Sequence, residues 1–122
     1  MVEVSDDEFQ VLINQALTEL PGEHVRNIKN VAILYEDEPT PEQRMQVRLH
    51  DHQTLLGLYE GLPLSQRQGM TRVLPDKITL FKWPLQYHAN TSEELKEQIK
   101  HTLWHEIAHY YGLDHDQISN LE

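Results

Sequence analysis

Two histidines four residues apart, His105 and His109, with Glu106 directly after the first, are the residues of this chain best equipped to do chemistry. On a helix the two imidazoles stand one turn apart on one face and converge on a single ion. Glu106 lies about 100° further round the axis, where its carboxylate can reach a water on that ion without having to be a ligand. Gly112 stops the helix, because glycine readily takes the left-handed conformation that reverses a chain, and the reversal can bring His115 back as a third ligand. Three protein ligands and a water describe an open, catalytic zinc site rather than a closed structural one. Such an ion brings the pKa of its water to about 7, so that Glu106 can take the proton, and it polarises a peptide carbonyl. Glu106 would then pass its proton to the departing amine. The pattern points to peptide-bond hydrolysis.

The surroundings of the motif support this reading over a chance pair of histidines. Leu103, Trp104, Ile107, Ala108, Tyr110 and Tyr111 fall on the arc opposite the histidines, so one helix face can enter a core while the other lines a cleft. Asp114 and Asp116 flank His115 and are alternatives for the third ligand, or acceptors that orient an imidazole. His101 shares the face of His105 one turn earlier and is left out of the ligand set. His50-Asp51-His52 alternates along the chain, which turns its side chains to opposite sides and favours a solvated loop. His24 and His88 have no partner visible in sequence. Tyr110 and Tyr111, opposite the ligand face, read as core residues.

The elements that must position these residues are legible from capping and periodicity. Ser5 and Glu8 form a capping box, after which Phe9, Leu12, Ile13, Ala16, Leu17 and Leu20 recur at helical spacing up to the stop at Pro21-Gly22. Val31-Ala32-Ile33-Leu34-Tyr35 reads as a buried strand, and residues 41–53 as either a short helix opened by Pro41 or a loop. Leu55-Leu56-Gly57-Leu58-Tyr59 reads as a second strand and Ile78-Thr79-Leu80-Phe81-Lys82 as a third, its Pro84 suiting an edge or an end. The polar connection at 63–76 between them is long for a compact domain. Thr91 and Glu94 cap a final helix that carries Leu95, Ile99, Leu103 and the metal motif to Gly112.

With 122 residues, residues 1–122 are expected to form a single domain, large enough for one core. Ten basic against twenty acidic residues give a net charge of −10, which opposes binding to nucleic acid phosphates and anionic lipid. The absence of cysteine leaves histidine and carboxylate as the only ligands and fits a reducing cytoplasm. The acidic N-terminus lacks the pattern of a secretory signal, and no stretch approaches membrane-spanning length. A cytoplasmic protein acting without a membrane is the expectation.

Val31-Ala32-Ile33-Leu34, Gly57-Leu58-Tyr59-Glu60-Gly61, Leu74-Pro75-Asp76-Lys77-Ile78-Thr79-Leu80-Phe81 and the segment from His105 to His115, in this order, resemble the small bacterial zincin-like metallopeptidase family. The resemblance spans nearly the whole chain. It implies an α+β, minimal zincin-like fold in which a small mixed β-sheet packs against two main helices, the second carrying the zinc motif. It also implies zinc-dependent peptidase activity on a peptide or protein substrate. By analogy with zincins, an extended substrate is expected to add to an exposed edge of the strand from Ile78 to Phe81. The place of His115 is often acidic in that family, so Asp114 and Asp116 stay open. The spacing through Gly112 to His115 is also similar to the larger metzincins, but no methionine follows the motif here.

Two rival functions stand beside the peptidase. Gly112-Leu113-Asp114-His115 also resembles part of a bacterial RNA-processing metalloprotein family with three similarly spaced histidines, which implies a metal-dependent ribonuclease. Glu106 and the acidic balance argue against it. A zinc-binding interaction module without turnover is the other.

Overall fold

The computed structural model describes residues 1–26, 28, 31–47, 55–61 and 76–112. The elements are α1 (Asp6–Glu19), α2 (Gly22–Arg26), β1 (Val31–Glu36), α3 (Pro41–Gln46), β2 (Gly57–Glu60), β3 (Asp76–Phe81), α4 (Lys82–Tyr87) and α5 (Ser92–Tyr111). Outside the described residues lie the connection at 63–75, His50-Asp51-His52, the side chain of His24, and Asp114, His115 and Asp116. Among the described residues no helix is long and apolar enough to cross a membrane.

Local chemistry fixes the helix ends. The Ser5 side chain accepts from the Glu8 N–H at 3.1 Å, satisfying a donor the first turn of α1 cannot pair internally, and Asp6, Asp7 and Glu8 place negative charge at the positive end of the helix. Thr91 caps α5 the same way through the Glu94 N–H, while the Glu94 carboxylate reaches one residue further back, to the Asn90 N–H at 2.7 Å. Of the ambiguous stretch 41–53, residues 41–46 form a helix, and 48–53 lie outside the described residues. Thr40 and Gln43 form a complete reciprocal capping box around Pro41, whose missing N–H costs nothing in the first turn.

The fold is α+β. Among the described residues three strands are ordered β1-β3-β2, with β1 parallel and β2 antiparallel to β3. The sheet packs against the two main helices, and α5 crosses β2 and β3 while pairing with α1. Leu95, Ile99, Leu103 and Ile107 recur every four residues along one stripe of α5, all fully buried, against Phe9, Leu12, Ile13 and Ala16 of α1 and Ile78 and Leu80 of β3. Each such side chain contributes about 1.5–3 kcal/mol by leaving water, which ties α5 to the sheet along most of its length. Lys96 and Lys100 add ion pairs to Glu19 on α1, at 2.8 and 3.3 Å.

Two expectations change. β3 is the central strand, bonded on one side to β1 and on the other to β2, so the segment from Ile78 to Phe81 offers no edge to a substrate. The reason is order: β2 precedes β3 in sequence but lies outside it, and sheet order is not a local property. Lys82 does not extend the strand. It opens α4, where Pro84 sits in the first turn among N–H groups that have no partner within a helix.

Candidate metal centre

The motif lies at the C-terminal end of α5. His105 and His109 are half-buried one turn apart, with ring centroids 4.8 Å apart, on the face away from the core stripe. Two residues separate His105 from Ile107, about 200° of rotation, so the packing that buries Ile107 turns the histidines outward. Opposite them on the helix, Tyr110 is buried and packs edge-on to Tyr59 and Tyr111, at 6.3 and 5.1 Å between centroids, and so is a core residue. The helix ends as expected: Gly112 has φ 83°, in the left-handed region, and its N–H donates to the His109 carbonyl at 2.9 Å. A helix C-terminus carries partial negative charge, which favours a cation at this end.

One ligand atom from each of His105, Glu106 and His109 can be chosen so that all lie within 4.8 Å of one another. With metal–nitrogen bonds of about 2.0–2.1 Å, two nitrogens on one tetrahedral ion stand about 3.4 Å apart, so small side-chain rotations would let His105 and His109 share an ion with Glu106 beside it. The two imidazoles suit a borderline metal such as zinc, and the carboxylate of Glu106 lies close enough to act on a water beside it.

Glu106 is held more firmly than its neighbours. It is only 6% exposed, and its Oε1 accepts from the main-chain N–H of Tyr59 on β2 at 3.0 Å. His109 Nδ1 lies 3.2 Å from the same oxygen. That hydrogen bond raises the His109 pKa above its ordinary value, burial opposes it, and the charge of the carboxylate adds to it.

Strand geometry aims the Tyr59 N–H at the helix. Phe81 N–H donates to the Leu56 carbonyl at 3.0 Å, which by alternation directs Leu58 towards β3 and turns the main-chain groups of Gly57 and Tyr59 away from it. The Tyr59 side chain is anchored as well, its hydroxyl donating to Asp76 Oδ2 at 2.5 Å. Beside the motif, Leu55, Leu56 and Gly57 form one wall of a cleft, with His101, Thr102, His105 and Glu106 along the other. His101 is exposed there and is not among the converging group, while His88 is exposed elsewhere beside Tyr87.

Sequence reasoning missed Gly57, Tyr59 and Asp76. Tyr59 acts on the site through its main chain, which no residue type reveals. Gly57 did leave a signal, since an isolated glycine in an apolar strand marks a close approach of another element.

The chain belongs to the zincin-like metallopeptidase family, whose model matches residues 28–122. Its fold is similar to that of a conserved hypothetical protein from Thermo thermophilus, with TM-score 0.56 and 18% identity over 97% of this chain and 100% of that one. No curated protein matches the chain.

Proposed function

We propose that the protein is a zinc-dependent metallopeptidase acting on a peptide or protein segment. The observation that carries the reading is the convergence of His105, Glu106 and His109 within 4.8 Å, the first two on the wall of a cleft. His105 and His109 are the residues that would hold the ion, with His115 the expected third ligand and Asp114 or Asp116 its alternatives. When bound, zinc supplies a Lewis acid that polarises a carbonyl and makes a water more acidic.

The remaining chemistry belongs to the protein. Glu106 accepts a proton from the attacking water as the oxygen bonds to the carbonyl carbon, then gives that proton to the amine nitrogen as the C–N bond breaks. Its hydrogen bond to the Tyr59 N–H holds one carboxylate oxygen in place and leaves the other to take the proton. The substrate enters between residues 55–57 and α5. A net charge of −10 disfavours nucleic acid as that substrate.

The test is hydrolysis of a mixed peptide library by zinc-loaded protein, beside a His105→Ala/His109→Ala double variant. Cleavage and about one zinc per chain are expected for the wild type, and neither for the variant. Zinc held at that stoichiometry with no cleavage of any peptide or protein offered would replace the peptidase with a binding module.

A further inference from the structure

A base on a helix has no fixed position relative to a neighbouring strand unless something sets their separation. At this site the separation is set by a missing side chain. Gly57, the first residue of β2, is buried against α5, and a Cβ placed on it would lie 2.6 Å from Thr102 Cγ2 and 3.5 Å from Glu106 Cγ. Ordinary contact begins at 3.4 Å, so a side chain at position 57 is about 0.8 Å too close to Thr102. Thr102 is 5% exposed and β-branched, with few rotamers open to it.

Thr102 and Glu106 are one turn apart on the face of α5 that meets β2, and Gly57 and Tyr59 are two residues apart on the facing strand. One helical turn of four residues advances about 6.0 Å and two strand residues about 6.6–6.8 Å, so the two spacings match. The Gly57–Thr102 approach and the Tyr59–Glu106 hydrogen bond are thus successive contacts of one seam. Opening the first by about 0.8 Å would stretch the second from 3.0 Å to about 3.8 Å, beyond hydrogen-bonding distance.

We propose that Gly57 is a positioning residue: the absence of its side chain sets the α5–β2 separation at which the Tyr59 N–H fixes the carboxylate of Glu106. This rests on the reading of Glu106 as the base. Glycine is not needed at position 57 for the backbone itself, since its φ is not in the left-handed region and alanine is at least as well suited to a strand. Its requirement is the contact across the seam.

The experiment is a cycle of Gly57→Ala, Thr102→Ala and the double variant, which removes the collision and therefore keeps the comparison even where Gly57→Ala alone folds poorly. Two signals are read, the Tyr59 amide proton by NMR (chemical shift and hydrogen exchange) and the steady-state kinetics of the zinc-loaded proteins. Gly57→Ala is expected to move the amide proton upfield, speed its exchange at least tenfold, and lower kcat by about 10- to 100-fold with KM nearly unchanged. The double variant is expected to return both signals to those of Thr102→Ala. A Tyr59 amide unmoved by Gly57→Ala, or a double variant no better than Gly57→Ala, would overturn the proposal. The amide signal needs no turnover, so a wild type that cleaves nothing would sink the peptidase reading while the NMR arm still decides this one.

Discussion

Replacing Tyr59 by phenylalanine removes a single oxygen from the underside of the site. The hydroxyl donates at 2.5 Å to Asp76, a carboxylate 1% exposed, while the ring packs against Tyr110 and keeps that contact in the variant. Hydrogen bonds to charged groups contribute about 1.5–3 kcal/mol net, and a buried carboxylate that loses a donor lies towards the upper end, so Tyr59→Phe should cost about 2–3 kcal/mol. A domain of this size has about 6–18 kcal/mol in all, so the variant should stay folded. With a urea m-value of about 1.5–2 kcal/mol/M the midpoint should fall by about 1–2 M. The assay is equilibrium urea unfolding of the metal-free protein, together with Asp76→Asn and the double variant to isolate the coupling. A coupling of at least about 1 kcal/mol is expected. A Tyr59→Phe midpoint within about 0.3 M of wild type would refute the view that this bond anchors β2 beneath the base.

Three further outcomes follow from the same geometry. With His109 as a proposed ligand, zinc binding would have to displace its proton; its pKa is raised above the ordinary 6.5 by the hydrogen bond to Glu106, so zinc affinity should climb with pH through that raised value, and Glu106→Gln should shift the climb to lower pH in competition titrations. The sign for the metal-free fold is the reverse: the stabilisation from protonated His109 is fully present below about 6.5 and disappears as pH rises through the raised value, which urea midpoints between about pH 5 and 9 would register. Gly112→Ala forces a Cβ into the left-handed region at φ 83° and should cost about 1–2 kcal/mol in the same unfolding assay; a stabilised variant would contradict the capping role.

What the sequence made legible was whatever depends on neighbours in the chain. The starts of α1 and α5 follow from Ser5 and Thr91, the core stripe of α5 from Leu95, Ile99, Leu103 and Ile107, and its end from Gly112. The capping box of Thr40 and Gln43 was there to be read, and it decides the helix at Pro41 that periodicity left ambiguous. α4 was hidden because Pro84 suits a strand end as well as a first helical turn. The position of β3 between β1 and β2 depends on pairings between residues far apart in sequence, as does the bond from the Tyr59 main chain to Glu106, 47 positions away. The two histidines and the glutamate, by contrast, lie within five consecutive residues, and one helix is enough to bring them together.

Everything proposed for this site turns on Glu106 as a base that is not needed to hold the ion. The most direct test is Glu106→Gln, a change of one atom in the side chain that can still accept from the Tyr59 N–H through its amide oxygen. Zinc content by elemental analysis and peptide hydrolysis should be measured on the same preparations of wild type and variant. The expected result is zinc at the wild-type level, about one per chain, with hydrolysis reduced by at least about 100-fold because the amide cannot take the proton. Hydrolysis by the zinc-loaded variant at the wild-type rate would contradict the assignment of Glu106 as the base.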